Sequence, residues 1–335
     1  MRVGLALPHY DYSFPDGRPL SWDRLVEAAR RAEELGFDSV WVSDHFFANV
    51  ARYGGPQGLL GTVEPFTALA GLTAATRRVR LGTLVACAPF RHPALVAKMA
   101  TTIDLVSGGR FDLGLGAGWY EEEFRAFGYG WPSTGRRMAV LEETVEVVTA
   151  LFRGGPVDFE GRFFRLSGAH NQPPPVQPGG PPVWVGGKGG ERGLRLVARH
   201  AAGWNTVWRW TPEAYAERVA VLRRIARAEG RDPSTVRLSL GLYALVGEDR
   251  SDLRRRYRAL QRWTPGGALD GVPLERFAAD TLTGTPEECL ERLEGLARLG
   301  VEEFVASVAS LPFAVFDWSA VELFAHAVVP AAHRL

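Results

Sequence analysis

The stretch IDLVSGGRFDLGLGAGW, residues 103–119, joins the end of a helix to a strand and then to a glycine-rich exit. Residues 107–109, SGG, end the helix because glycine readily adopts the positive φ that a helix C-terminus requires. Residues 111–115 alternate apolar with small or polar side chains, which is the two-residue period of a strand. The exit at residues 116–119 leaves little side chain at the strand end, so it is either a packed joint or the floor of a pocket.

Outward from this joint, apolar strands and amphipathic helices alternate along the whole chain. The predicted strands, each followed by a predicted helix, are residues 3–8, 39–42, 80–87, 111–116, 183–185, 204–207, 236–246 and 304–308. Such alternation predicts a parallel sheet with helical crossovers. Eight units in a chain of 335 residues favour an α/β fold of the TIM (β/α)8 barrel type over an open, doubly wound sheet.

A single domain over residues 1–335 is predicted, because no Ser/Gly-rich or charged linker divides the chain. Four irregular insertions interrupt the alternation, at approximately residues 46–63, 120–136, 152–182 and 251–284. The third insertion ends in the stiff, extended run QPPPVQPGGPP, residues 172–182. Long insertions in a barrel usually lie over the face formed by the C-terminal ends of the strands, so we expect them to cover a site there.

The composition excludes several classes of function. The net charge is +1 and basic residues are interleaved with acidic ones, which argues against a nucleic-acid partner. No apolar run approaches the roughly 18 residues that a membrane helix needs. The two cysteines, Cys87 and Cys289, lie far apart and outside any metal-ligand spacing. This cysteine usage indicates a reducing compartment and predicts a cytoplasmic protein without a metal site.

Polar residues follow the first two predicted strands, and in a barrel the functional groups lie at these strand ends. Asp44 and His45 follow the second strand. A histidine at a strand end can donate or accept a proton near neutral pH, and the adjacent aspartate can orient another group. The alternative is a structural Asp-His pair that binds backbone. Pro8, His9 and Tyr10 follow the first strand, but no pattern around His9 indicates a role.

A glycine-rich segment, GGKGG at residues 186–190, follows the fifth strand and precedes a helix. Consecutive glycines allow backbone N–H groups to point at an anion. The positive end of the helix dipole and the charge of Lys188 add to the attraction. The segment therefore predicts a phosphate site, with a flexible turn as the alternative.

Two further groups of side chains surround the predicted strand ends. Glu121, Glu122 and Glu123 stand at a helix start, where negative charge suits the dipole, although one of them could face the pocket. The aromatic residues that could shape an apolar pocket, or equally belong to the core, are Phe46, Phe47, Trp119, Trp208 and Trp210. We therefore expect the strand ends to be surrounded by both acidic and aromatic side chains.

Four segments of the chain match motifs of a known family in their order. They are FDSVWVSDHF at residues 37–46, LGTLV at 81–85, the stretch 92–119 from His-Pro through SGGRF to Gly-Trp, and VWVGG at 183–187 with AGWN at 202–205. With these segments the chain resembles the bacterial luciferase-like flavin superfamily. Within it, the chain is similar to the oxidoreductases that depend on the deazaflavin coenzyme F420. The similarity spans roughly residues 1–205.

The resemblance implies a TIM barrel with a flavin or deazaflavin across its C-terminal mouth and the cofactor phosphate at residues 186–190. It also implies a non-prolyl cis peptide bond, Leu84-Val85, behind the cofactor ring. The catalytic residues that we predict are His45 and Asp44. The cofactor contacts that we predict are Leu84, Val85, Gly116, Ala117, Gly186, Gly187, Lys188, Gly189 and Gly190.

The resemblance implies an oxidoreductase that uses coenzyme F420 for hydride transfer to or from a small organic substrate, with His45 as proton donor or acceptor. The alternatives are an FMN-dependent two-component monooxygenase and a non-catalytic flavin-binding protein. Related sugar-phosphate dehydrogenases place a catalytic glutamate where this chain has Trp119, which argues against that reaction. The expected partners are a small-molecule substrate, a flavin or F420 reductase that supplies reduced cofactor, and a second copy in a homodimer.

Overall fold

The structure is a computed structural model that describes residues 1–53 and 58–335, so the predicted insertion 46–63 lies partly outside the described residues. The strands are β1 (Arg2–Ala6), β2 (Ser39–Val42), β3 (Arg80–Thr83), β4 (Ala86–Cys87), β5 (Phe111–Gly116), β6 (Val157–Glu160), β7 (Arg165–Ala169), β8 (Val183–Gly186), β9 (Gly203–Trp208), β10 (Arg237–Val246), β11 (Leu282–Gly284) and β12 (Val301–Ser307).

The helices surround these strands. They are α1 (Trp22–Glu34), α2 (Pro65–Ala75), α3 (Pro93–Ser107), α4 (Glu121–Ala126), α5 (Thr134–Arg153), α6 (Glu191–His200), α7 (Pro212–Ala228), α8 (Arg250–Trp263), α9 (Leu274–Ala278), α10 (Pro286–Arg298), α11 (Trp318–Ala327) and α12 (Val329–Ala332). Across the described part of the chain, no helix is both long enough and apolar enough to cross a membrane.

Eight parallel strands of the described residues close into a barrel. Hydrogen bonds run in the order β1, β2, β3, β5, β8, β9, β10 and β12, and β12 pairs again with β1. The strands run parallel because a helical crossover returns the chain to the same end of the barrel before each new strand. Each predicted strand overlaps one strand of the ring, which confirms the TIM barrel.

The joint between α3 and β5 has the predicted form. α3 ends at Ser107, and Gly108 follows it in the left-handed region with φ 67°. Within β5, a Cβ added to Gly114 would lie 2.1 Å from the carbonyl oxygen of Thr83. Glycine is therefore required inside this strand by the close approach of a neighbouring backbone.

The predicted third strand, residues 80–87, is wrong in one respect, because two short strands, β3 and β4, replace it. The cis peptide bond Leu84-Val85 lies between them, as the resemblance implies. Leu81 pairs with Phe111 while Ala86 pairs with Leu115, so the β3–β4 segment contains one extra residue between its pairs with β5. This bulge is the physical reason for the interruption, since an unpaired residue breaks the ladder.

The insertions do not all lie at one end of the barrel. The 3₁₀ turns Val50–Tyr53 and Pro265–Gly267, from the first and last insertions, lie against each other. The Pro-rich run 172–182 lies elsewhere, because the N–H groups of Val176 and Gln177 donate to Oδ2 of Asp104 at 2.7 and 2.9 Å near the end of α3. That end of α3 faces the N-terminal ends of the strands. The expectation that this run covers the site is therefore wrong.

A buried polar cluster packs the barrel interior near the N-terminal ends of the strands. The carboxylate of Glu303 accepts hydrogen bonds from Arg2, Ser39 and Trp41. Glu303 itself is fully buried. Because its charge is paired and its oxygens are hydrogen-bonded, this layer forms part of the packed core and leaves the opposite end of the barrel for a site.

Candidate active site

A cavity of about 640 Å³ opens at the C-terminal mouth of the barrel. The predicted site residues that line it are Asp44, His45, Leu84, Val85, Gly116, Ala117, Gly186, Gly187 and Lys188. Gly189 and Gly190 do not line it, because they lead from the edge of the cavity to the start of α6. The cavity thus joins residues from four different strand ends, as expected for a barrel of this type.

His45 and Glu123 form a hydrogen-bonded pair at the edge of the cavity. Nδ1 of His45 lies 2.8 Å from Oε1 of Glu123, and Oε2 of this carboxylate accepts the N–H of Phe46 at 3.0 Å. Glu123 is only 1% exposed, although it lies in the first turn of α4. Because an ionised carboxylate can only accept, the proton of neutral His45 lies on Nδ1, and Nε2 is left for a ligand.

Asp44 is held on both of its carboxylate oxygens. Oδ2 accepts the N–H of Cys87 at 2.8 Å and Nη1 of Arg91 at 2.5 Å, and Oδ1 accepts Nη2 of Arg91 at 3.0 Å. This bidentate ion pair ties the end of β2 to β4 and to the start of α3. The contacts match the structural alternative for Asp44, and a catalytic role for this carboxylate stays a prediction.

Two glycines and Val85 form the floor of the cavity. A Cβ on Gly116 would lie 2.6 Å from Cγ2 of Val85, and a Cβ on Gly186 would lie 2.8 Å from Cγ1 of the same side chain. The glycines at the ends of β5 and β8 therefore make room for Val85, which lies beside the cis peptide bond. Residues 116–119 all line the cavity, which supports the pocket-floor interpretation of that exit.

The glycine-rich segment 186–190 presents open backbone beside the cavity. A Cβ on Gly187 or Gly190 would meet no atom within 4 Å. Gly190 is the N-cap of α6 and no side chain caps the helix, so its first N–H groups have no acceptor within the described ranges 1–53 and 58–335. Such N–H groups suit an anion. Phosphate binding at this segment stays a prediction.

Two cations line the cavity without a carboxylate partner in the part of the chain that the structure describes. Arg137 is 6% exposed, and its guanidinium donates to two backbone carbonyls and one threonine hydroxyl. Lys188 donates to the carbonyl oxygen of Val207, and Nζ lies 5.2 Å from the ring centre of Trp210. Burial lowers the pKa of both Arg137 and Lys188. A bound anion would compensate the buried charge of Arg137 and could also meet the more exposed charge of Lys188.

Aromatic side chains form the outer wall of the cavity. The ring of Trp119 lies 5.5 Å from that of His45, nearly perpendicular to it, and 5.3 Å from that of Tyr120. The predicted aromatic residues that line the cavity are Phe47, Trp119 and Trp208, and those that do not are Phe46 and Trp210. An apolar wall beside a proton-transfer group suits an organic substrate of low polarity.

Sequence reasoning left open which of Glu121, Glu122 and Glu123 faces the pocket, and it missed Arg137. Glu123 had a weak signal, because Phe124 marks the buried face of α4 and Glu123 is next to it. Arg137 had none, because it follows Arg136 in the same helix and only packing decides which of the two is buried.

Comparisons with known proteins agree with this geometry. Residues 1–303 match the family described as luciferase-like monooxygenase. The F420-dependent hydroxymycolic acid dehydrogenase of Mycobacterium tuberculosis is 29% identical over 329 residues, which cover 94% of this chain and 82% of that protein.

Solved structures share the fold along the whole chain. An F420-dependent secondary alcohol dehydrogenase, in complex with an F420-acetone adduct, is 22% identical with a TM-score of 0.77, covering 99% of this chain and 98% of its own. The monooxygenase RslO1 from Streptomyces bottropensis is 26% identical with a TM-score of 0.77, covering 100% of both chains. With the family match over 303 of 335 residues, the chain belongs to the luciferase-like monooxygenase family and is an oxidoreductase.

Proposed function

We propose that the protein uses the deazaflavin coenzyme F420 to transfer hydride to or from a small organic alcohol or carbonyl compound. The observation that carries this proposal is the His45–Glu123 pair, which faces the cavity beside the side-chain-poor ends of β5 and β8. The names of the relatives support the cofactor, because the mycobacterial relative is an F420-dependent dehydrogenase and one solved structure holds an F420-acetone adduct.

The residues around the cavity fit such a cofactor. The floor of Gly116, Gly186 and Val85 carries few side chains, which would leave room for the ring of such a cofactor. The N–H groups at residues 188–190, for which the described residues provide no acceptor, and the buried guanidinium of Arg137 suit a phosphate group. FMN would meet the same features, so the fit supports a flavin-type cofactor in general and the relatives favour F420.

A bound deazaflavin would supply the hydride-transfer chemistry. Nε2 of neutral His45 takes the hydroxyl proton of an alcohol substrate, and in the reverse direction the imidazolium returns that proton to the carbonyl oxygen. Glu123 holds the Nδ1–H of His45, which fixes the tautomer and stabilises the imidazolium. Trp119 and Tyr120 limit the access of water to this proton transfer.

An FMN-dependent monooxygenase is the second candidate. The similarity to the monooxygenase RslO1 over the whole chain favours it, and the cavity features suit either cofactor. Oxygen chemistry needs the exclusion of water. The Pro-rich run 172–182 cannot provide it from the other end of the barrel, so the insertion 251–284 would have to do so.

A titration of purified protein with F420 and with FMN, followed by fluorescence, tests the proposal. We expect F420 to bind more tightly than FMN and to be reduced when a secondary alcohol is added. Tight binding of FMN alone, with oxygen consumption, would transfer the assignment to the monooxygenase. If the protein binds neither cofactor, both candidate functions are wrong, and so is the alternative of a non-catalytic flavin-binding protein.

The partners and location remain proposals of the same kind. A flavin or F420 reductase would supply reduced cofactor, and a homodimer and a cytoplasmic location stay predictions. A co-purification experiment and a sedimentation measurement would test the first two.

A further inference from the structure

A series of neighbouring aromatic rings runs out of the cavity on the side of β2 and α4. Trp119 stacks on Tyr120 with ring centres 5.3 Å apart, and Tyr120 lies edge-on to Phe47 at 5.6 Å. These three residues line the cavity. The ring centre of Phe47 lies 6.2 Å from that of Phe127, which does not line it. The series therefore continues from the cavity onto the outer surface.

The outer rings of this series face solvent. Phe127 and Tyr129 are 52% and 40% exposed. Phe46 lies between them, with its ring centre 4.1 Å from that of Phe127 and 6.0 Å from that of Tyr129. We call Phe46, Phe47, Phe127 and Tyr129 the aromatic rim. A single exposed aromatic side chain is common on a protein surface, whereas a contiguous group of them marks a surface that binds another molecule.

The rim is held in place by the same residue that orients His45. Oε1 of Glu123 lies 2.8 Å from Nδ1 of His45, and Oε2 accepts the N–H of Phe46. The backbone carbonyl of Glu123 accepts the N–H of Phe127 at 3.0 Å. The rim is therefore pre-organised in a fixed position relative to the group that exchanges the proton.

The volume of the cavity points to the same surface. About 640 Å³ is the size of a pocket for one drug-sized ligand. A cofactor ring bound over Val85 would take up part of this space, so only the reacting part of a large substrate would fit beside it at His45. The rest of such a substrate would leave the cavity, and the rim is the apolar surface that continues from it.

The charged groups beside the rim are already compensated. Glu121 and Arg125 form an ion pair at 2.7 Å on the exposed face of α4. Glu122 accepts the hydroxyl of Tyr120 at 2.8 Å. A ligand without charge therefore suits this surface better than one that carries a carboxylate or an ammonium group.

We propose that the aromatic rim binds an uncharged hydrocarbon chain of the substrate, so that the protein prefers long-chain alcohols or the corresponding carbonyl compounds to short ones. The reacting carbon lies at His45, and the chain passes Phe47 to reach Phe127. The inference rests on the proposed function, because it assigns the substrate class of the same site. A second copy of this chain is the other possible occupant, and the continuity of the rim with the cavity favours the substrate.

Binding of 2-butanol and 2-decanol to the full-length protein tests the proposal, measured by ligand-observed NMR without cofactor and again with saturating oxidised F420. Full burial of one methylene strengthens binding by about fourfold, and a half-exposed rim would give about twofold. We therefore expect the wild type to bind 2-decanol about 50-fold more tightly than 2-butanol in both conditions. Phe127→Ala and Phe47→Ala should each lower this ratio by about fivefold. Val106→Ala is the matched control and should keep it, because Val106 is 58% exposed near the end of α3, far from the mouth.

Similar affinities of the wild type for the two alcohols would overturn the proposal, as would ratios in both ring variants equal to that of Val106→Ala. Sedimentation of Phe127→Ala is a second measurement. We expect the oligomeric state of the wild type, and a change would assign the rings to a contact between copies of the chain and overturn the proposal.

These failures are distinguishable from a failure of the proposed function. If F420 does not bind but the preference for 2-decanol and its loss in Phe127→Ala persist, only the proposed cofactor is wrong. If alcohols reduce F420 but neither the preference nor the effect of Phe127→Ala is found, only the role of the rim is wrong.

Discussion

Nδ1 of His45 lies 2.8 Å from Oε1 of Glu123, although 78 positions separate the two residues in the chain. The contact joins the end of β2 to the first turn of α4, which follows β5. It leaves Nε2 as the ring nitrogen that can exchange a proton with a ligand. The predictions below begin with this pair and then move outward to the cofactor site and the barrel wall.

Replacing His45 by alanine should slow turnover by about 100-fold or more, because it removes the group that we propose for proton transfer. Affinity for the cofactor should stay within about one order of magnitude, since the predicted cofactor contacts are elsewhere. Steady-state kinetics and a fluorescence titration measure the two effects. Unchanged turnover would remove His45 from the mechanism.

Glu123→Gln should slow turnover by about 10-fold to 100-fold, because the neutral amide no longer stabilises the imidazolium or fixes its tautomer. Glu121→Gln is the matched control, since Glu121 lies in the same turn but is exposed and paired with Arg125 at 2.7 Å. Kinetics of both variants under identical conditions provide the test. Equal losses in the two would show that the effect belongs to the helix and not to the pair.

Gly187→Glu should weaken cofactor binding by about tenfold or more, because it places a carboxylate where we predict a phosphate. The fold should tolerate the change, since a Cβ at this position meets no atom within 4 Å. Gly295→Glu on α10 is a control with comparable space, its nearest atom being 3.8 Å away on Arg298. A thermal unfolding curve shows that both variants fold, and a titration then compares their affinities. If Gly187→Glu binds the cofactor with wild-type affinity, the prediction that the phosphate binds at residues 186–190 is wrong.

Arg137→Met should also weaken cofactor binding, by about tenfold, because it removes a buried cation at the cavity wall. The neighbouring Arg136→Met removes an exposed cation from the same helix turn and should change affinity by about twofold at most. Titrations of the two variants at two salt concentrations separate a local contact from a general charge effect. An equal loss in both would favour the general effect.

His9 should make the stability of the protein depend on pH below about 6.5, its ordinary pKa, because burial lowers the pKa to about 3 in the folded state. Its contribution is fully present above pH 6.5. As the pH falls, the unfolded chain binds a proton that the folded protein does not, so the free energy of unfolding decreases by about 1.4 kcal/mol per pH unit. Urea unfolding of the wild type and His9→Gln over this range isolates the effect. A difference between them that does not vary with pH would contradict it.

Much of the fold could be predicted because the strands, helices and turns depend on residues that are close together in the sequence. The period of residues 111–115 predicts a strand, and the glycine after Ser107 adopts the positive φ that ends α3. The rule that functional groups follow the strands selected Asp44, His45 and the glycines at 186–187, which line one cavity. The cis bond at Leu84-Val85 followed from the resemblance and from no local pattern.

The parts that could not be predicted depend on contacts between distant segments. The Pro-rich run 172–182 has the composition of a stiff segment that could cover the cavity. Its hydrogen bonds to Asp104 instead place it near the N-terminal ends of the strands. Asp44 carries a carboxylate that could act in proton transfer, but both of its oxygens accept hydrogen bonds from Arg91. Residue type indicates which chemistry a side chain can perform, whereas its contacts in the folded protein decide whether its polar atoms are available for a ligand.

By itself, the sequence determined the order of the βα units, the end of α3 and the polar or small residues at each strand end, because periodicity and turn chemistry act over a few residues. Only the tertiary structure decided which of three adjacent glutamates meets His45, which of two adjacent arginines is buried, and which cation pairs with Asp44. The physical reason is that these outcomes depend on distances of a few ångströms between strand ends and loops that are far apart in the chain.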